Sequence, residues 1–586
     1  MDYVIRHLAC FLALAAMAQA ELTPDQKEVQ FRQMAGLYAK NYAPYEWKRD
    51  TQGFDLLETK GWIARARATA TDLDFADLMI EYVAKLNDGH DVVSLRSDYY
   101  AYLGFDVDLY DGKPLIEYID RFQLPRASFD FDIGDELISV DGVSVADMTA
   151  KYWKYSICAN DRSTSRWASS YFTYRPQASI PRAHEIGDTA EVRIRKASTG
   201  TESTVTIAWD KVGTPMLSFG TIPESFSVHR EAGRTFDGPS GSSADEERAK
   251  FRQLQDHRSP RATGRMKRLS LQGFGARSPR WTVPSGFTQR LGRQSLDQFY
   301  SGTYTSDGVR IGYIRIPSFV PLSTSLAVNQ FASEVAYMQA NTDGLVVDVT
   351  NNPGGYVDYT NSLLRGLMTE RFQVIGFELR ATSGWVNAFS QLLTESIDFG
   401  DPEWVVNFWK YELQNIQVAN DQLRGRTGPI ALDGGPDFEP SLDRPPLLSS
   451  TGAVVSYQKP IVLLVDEMTA SGGDAFAATM QDTGRATLVG NRTMGLGGTV
   501  DYFTLDAYAE LDLSITTGLM ARNRNVDTNG EFPTGTVIEN VGVRPEIAND
   551  YMTADNLTNG GRTYVANFTK VIVEKVRAQQ QQGGQQ

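Results

Sequence analysis

Cysteine is nearly absent: Cys10 and Cys158 are the only two in 586 residues. Cys10 lies in an apolar leader, so a processed chain keeps one thiol and no intramolecular disulfide, and ordinary cores must stabilise it. Histidine occurs five times, never in a His/Cys cluster with metal-ligand spacing, and the glycine-rich segments lack the lysine of a phosphate loop. Neither a metal nor an organic cofactor is therefore expected. Apolar runs long enough to cross a bilayer are missing too. The run Leu8 to Ala18 follows Arg6 and ends in Ala18-Gln19-Ala20 before Glu21, the pattern of a secretory signal peptide (residues 1–20) rather than of a span. The expectation is an exported chain, periplasmic or extracellular. Positive charge is in deficit, with 57 Lys+Arg against 72 Asp+Glu and a net charge of −15, which argues against nucleic acid as a partner. After Ser471 the only lysines are Lys570 and Lys575.

What is present is most informative around Ser471. The apolar stretch Ile461 to Val465 reads as a buried strand; a short turn leads to Ser471, Gly472 and Gly473, and an alanine-rich helix follows. That order leaves a serine hydroxyl at a helix N-terminus, where N–H groups and the helix dipole favour developing negative charge. A plain serine N-cap is the alternative. A second segment, Gly344 to Tyr356, reads as another buried strand ending in Asn352-Pro353-Gly354-Gly355. Paired glycines there can offer backbone N–H groups to an oxyanion, though which of Gly354, Gly355 and Gly472 does so is not readable from letters.

Together these segments resemble the carboxyl-terminal processing (tail-specific) and tricorn-type serine peptidases. Three more segments fit in order: Ile311 to Phe319, Val489 to Gly498, and Glu539 to Glu546. The resemblance implies a mixed α/β (α+β) fold with a crotonase/ClpP-like catalytic core over residues 294–575, Ser471 as nucleophile, and an oxyanion hole from Gly355 and Gly472. Its bacterial tail-specific branch activates serine with a lysine at the position occupied here by Leu496, which cannot accept a proton. A base is still needed. His7 lies in the leader, His229 and His257 in a polar stretch, and His184 in a different domain. His90, in Asn87-Asp88-Gly89-His90, resembles the base of the tricorn-like branch, for which Glu539 is the implied orienter, with Glu531 a nearby rival. The implied activity is that of a serine endopeptidase acting on proteins or peptides. Carriers of apolar ligands on the same fold and tail-gripping scaffolds are the competing functions.

Residues 21–95 read as helical, with an apolar stripe of Phe31, Met34, Leu37 and Tyr38. In 96–215, alternating residues after Tyr102 and the strand-turn-strand Ile133 to Val145 resemble a PDZ domain, with an aromatic insertion at 152–187. Leu103, Gly104 and Phe105 resemble the loop by which PDZ domains hold a peptide carboxylate. Residues 222–293 carry 14 Lys/Arg against 7 Asp/Glu and little periodicity. They read as a solvated linker, or as a segment clipped near Lys267-Arg268. Residues 376–457 form an aromatic then Pro/Gly-rich insertion in the catalytic unit, and the Gln-rich end (576–586) reads as disordered.

Overall fold

The computed structural model describes residues 21–219, 274–432, 441–509 and 511–583. The signal peptide and the site near Lys267-Arg268 lie outside them. Four helices open the described chain: Pro24–Asn41, Tyr45–Gln52, Lys60–Ala68 and Asp72–Ala84. The first and last begin in capping boxes, Thr23 with Gln26 and Thr71 with Asp74, so local chemistry sets where these helices start. Phe31, Met34 and Tyr38 are fully buried, as their spacing demands.

The segment is not helical throughout. Val92–Leu95 is a strand, and it pairs antiparallel with the long strand Leu511–Val526, Val92 opposite Ser514. This pairing stitches the N-terminal helices into the C-terminal half of the chain.

The catalytic unit is built on a seven-stranded sheet. Its middle strands, Val309–Arg315, Gly344–Asp348, Ile461–Val465 and Thr487–Gly490, run parallel. Gly344–Asp348 and Ile461–Val465 are buried along their whole length, as strands covered on both faces must be. Side chains alternate between two cores. Leu345, Val347, Leu463 and Val465 join one containing Phe331, Leu363 and Phe476; Val346, Val462 and Leu464 meet Phe568, Ile572 and Val576 on the other face. That second cover is the helix Arg562–Gly583, which continues through Gln579 to Gln582 of the end expected to be disordered; residues 584–586 lie outside the described ones. Its last turns bury nothing but remain in register with an anchored helix.

The 376–457 stretch differs from a plain insertion at its start, because Gly376–Leu379 pairs with Leu511–Val526. Its aromatics then pack on one another in the helical hairpin Ser383–Asp398 and Glu403–Asp421, Trp385 on Phe389 at 5.5 Å and Phe389 on Trp409 at 6.0 Å. The linker expected at 222–293 is packed from residue 274 onward: Trp281 is buried, and Thr288–Leu291 joins the end of the seven-stranded sheet.

A six-stranded antiparallel sheet forms the PDZ-like unit, with Phe105–Tyr110 at one end and Glu136–Val140 joined to Val143–Ser144 through the Asp141-Gly142 turn. The 152–187 insertion contributes the helix Asp161–Ser170 and the strand Tyr174–Pro176.

Candidate active site

The strand Ile461–Val465 delivers the chain to a tight turn, and the helix Gly472–Asp482 starts immediately after Ser471. Ser471 occupies the cap position, but its side chain makes no capping hydrogen bond. Its backbone sits at φ 53°, ψ −114°, a region non-glycine residues avoid at a cost of about 1–3 kcal/mol. The plain N-cap alternative fails on both counts.

The Asn352-Pro353-Gly354-Gly355 turn lies against this point. Gly354 (φ 92°) passes so close that a Cβ there would stand 2.6 Å from both the Ser471 Cβ and the Gly472 nitrogen. The Gly355 nitrogen is 3.1 Å from where a Cβ on Gly472 would stand, so the amides of Gly355 and Gly472 border the same space. The Ala470 N–H donates to Asn352 at 2.9 Å and fixes the two turns together. Inside the helix Gly472–Asp482, Asp474 accepts from the Thr493 hydroxyl and from the N–H groups of Gly495 (3.0 Å) and Leu496 (3.1 Å). Burial pushes Asp474 up to about 6 while these donors oppose the rise.

His90 follows the Asp72–Ala84 helix by a turn in which Asn87 takes φ 48°. The His90 N–H donates to Asp88 Oδ1 at 2.9 Å, and its carbonyl accepts from the Ser514 hydroxyl at 2.5 Å. Glu539 comes from the far end of the chain, yet Asp88, His90 and Glu539 bring side-chain ligand atoms within 4.8 Å of one another. Leu496, between the strands Thr487–Gly490 and Gly498–Leu505, packs against this turn: a Cβ on Gly89 would meet its Cδ2 at 2.8 Å.

Glu539 is fully buried. One oxygen accepts from the Gly497 N–H at 2.8 Å, and the other is paired with the Lys48 ammonium. Burial and the Asp88 carboxylate push Glu539 up to about 8, and Lys48 pulls against them. Burial also works against Asp88, but Lys48, His90 and donated hydrogen bonds keep it below the usual carboxylate range. Asp91, buried beside Asp88, is raised well above that range. The three clustered residues could contact a small cation, but Lys48 already supplies positive charge there, and Asp88 already accepts from Tyr42 and Thr516. Glu531, the rival orienter, is 44% exposed and pairs with Arg492 and Arg544 instead.

Sequence reasoning missed Lys48 and Asn540. Lys48 Nζ donates to the Asn87 carbonyl at 2.9 Å and to Asn540 Oδ1 at 2.7 Å, and Asn540 Nδ2 donates to Asn87 at 2.9 Å. Both side chains therefore hold the His90 turn against Glu539.

The loop expected to bind a peptide carboxylate is occupied. Leu103 and Phe105 are buried, the Leu103 N–H donates to Thr173 at 2.9 Å, and the Gln123 side chain covers Gly104, 2.7 Å from where a Cβ would stand. The 152–187 insertion supplies the acceptor, which is why the loop alone misled.

These features belong to a serine peptidase fold, and the comparisons name it. Residues 310–548 match the model of peptidase family S41, and residues 99–224 match that of a PDZ domain. The chain is thus a serine peptidase that carries a family S41 peptidase domain and a PDZ domain. It is 24% identical over 588 residues to a protein of Chlamydia trachomatis, covering 91% of this chain and 90% of that one. It is 30% identical over 169 residues to carboxyl-terminal-processing peptidase 3, chloroplastic, of Arabidopsis thaliana, covering 26% of this chain and 31% of that one. The structure of mature CPAF complexed with lactacystin superposes with a TM-score of 0.71 at 22% identity, covering 95% of this chain and 99% of that one, which places the two in one fold.

Proposed function

We propose that this chain is an exported serine endopeptidase working through Ser471, His90 and Glu539 rather than through a serine-lysine dyad. Ser471 Oγ attacks the scissile carbonyl, His90 takes its proton and returns it to the leaving amine, and Glu539 stabilises the imidazolium. The amides of Gly355 and Gly472 donate to the tetrahedral oxyanion, a contribution of roughly 3–4 kcal/mol per donor. The substrates are proteins or peptides, and the leader Leu8 to Ala18 supports export.

The observation that carries this reading is the convergence at the missing lysine. Leu496 stands where the resemblance calls for lysine, and it packs on Gly89, the residue beside the only histidine brought next to Glu539 among the described residues. A carrier of apolar ligands has no use for a serine held at a strained φ, and the hairpin aromatics are engaged with one another.

The test is labelling of the full chain with a fluorophosphonate probe beside Ser471→Ala, His90→Ala and Glu539→Gln. Labelling that vanishes in Ser471→Ala and nearly vanishes in His90→Ala is expected. Labelling at the wild-type rate in His90→Ala would remove histidine from the mechanism.

A further inference from the structure

The helix Asp161–Ser170 occupies an unexpected place. Among the described residues, Phe105–Tyr110 ends its sheet with no strand on its other side, and this helix packs along it while also touching the helix Val145–Tyr152. PDZ domains receive a peptide by adding it as a strand to a sheet edge. Here the chain's own insertion covers the end strand, Thr173 takes the Leu103 N–H, and Gln123 covers Gly104.

The same helix is bolted to the turn that leads into Ser471. Arg166 is 1% exposed; it forks onto Asp108 of the end strand at 3.1 and 2.7 Å and reaches Glu467 at 3.0 Å. Arg162 meets the same Glu467 oxygen at 2.8 Å, and the Ser163 hydroxyl donates to the Glu467 carbonyl at 2.5 Å. Asn160 Nδ2 donates to the Met494 carbonyl at 2.8 Å, next to the Gly495 and Leu496 amides that hold Asp474. The PDZ sheet, the insertion helix and both flanks of the nucleophile are thus one polar network, buried at Arg166, Asp108 and Glu467 and open to solvent at Arg162. Buried ion pairs of this kind tolerate loss of one partner poorly, because the other charge is left uncompensated.

We propose that the PDZ domain of this chain is a closed brace for the nucleophile turn, with Arg166 as its positioning residue, and that substrates are taken without recognition of a free C-terminal carboxylate. The brace rests on the reading of Ser471 as nucleophile; the closed groove does not.

Two measurements test the two halves separately. Full-length Ser471→Ala is titrated, by fluorescence anisotropy, with a peptide ending in an apolar residue as the free acid and with the same peptide as the amide. Equal affinities within about twofold, or no binding of either, are expected; a preference of about tenfold or more for the acid overturns the proposal. This arm reads the groove whether or not the wild type proves active. Then kcat and KM on a quenched peptide are compared for wild type, Arg166→Gln, Arg166→Lys and the near-isosteric Glu467→Gln. The glutamine variants are expected to lose about tenfold or more in kcat with KM nearly unchanged, Arg166→Lys recovering part of it. A folded Arg166→Gln or Glu467→Gln with the kcat of wild type overturns the brace.

Discussion

Leu496 and Gly89 are in contact so close that a single added methyl on Gly89 would meet the Leu496 Cδ2 at 2.8 Å. In this chain the position where the resemblance calls for lysine thus forms a floor under the turn that carries His90. The same methyl would also lie 3.0 Å from the Cys158 Cα and from the Ile157 carbonyl, and backbone cannot retreat as a leucine tip can. Gly89→Ala should therefore lose about 1–3 kcal/mol of stability and displace His90, with labelling of Ser471 falling well beyond what the lost stability explains. Pairing it with Leu496→Ala should restore only part, since one of three contacts is relieved. Full restoration, seen in urea unfolding and labelling together, would show that the leucine alone sets the fit.

Lys48 offers a pH-dependent test. Glu539 is pushed up to about 8 by burial and by Asp88, with Lys48 opposing. Removing this buried cation raises the proton affinity of the His90–Glu539 pair whichever of the two holds the proton, with Asp88 and Asp91 still facing it. The proposed mechanism requires the pair deprotonated at the histidine and ionised at the glutamate, so the acid limb of activity should move to higher pH in Lys48→Met and stay closer to wild type in Lys48→Arg. Labelling rates measured across pH check this. A Lys48→Met limb at the wild-type position, in a folded protein, would reduce Lys48 to packing.

Much of the catalytic unit is legible in the letters because fully buried parallel strands appear as apolar runs, and turns pressed against a nucleophile demand glycine. Gly344 to Val349 and Ile461 to Val465 carry that signal directly. Lys48 does not: it sits in Tyr45–Gln52, a helix of charged and polar residues that reads as solvated, and only the arrival of Glu539 from the chain's other end explains its burial. The occupied PDZ loop was hidden for a similar reason. Leu103-Gly104-Phe105 has the expected composition, but its availability depends on Thr173 and Gln123, which local pattern does not connect to it. The Gln-rich end looked structureless because composition ignores that Phe568, Ile572 and Val576 anchor the helix preceding it.

The backbone of Ser471 makes a prediction that separates stability from activity. A φ of 53° with ψ −114° costs a serine about 1–3 kcal/mol, which glycine does not incur. Glycine loses roughly 0.5–1 kcal/mol through its freer unfolded chain. Ser471→Gly should thus be inert toward the probe yet as stable as Ser471→Ala or more so, by about 1 kcal/mol in urea unfolding. A Ser471→Gly less stable than Ser471→Ala would mean that the strain is relieved in solution.

Asp474 links the nucleophile helix to the loop that carries Leu496, and its pH signature has a definite sign. Its folded value, about 6, lies above the ordinary 3.8, because burial outweighs the hydrogen bonds from Thr493, Gly495 and Leu496. A raised carboxyl binds its proton more tightly in the folded state, so the stability it confers is fully present below about pH 4 and is lost as pH rises through about 6. Asp474→Asn cannot titrate and keeps the shape, but its amide nitrogen faces donors where the carboxylate accepted. The variant should be destabilised most at low pH, with the deficit shrinking between about pH 4 and 6 and constant above. Urea unfolding of both proteins at several pH values measures that difference. A deficit that instead grows over this interval would show that the donated hydrogen bonds, not burial, govern Asp474, and that the loop is held to Ser471 by a full negative charge.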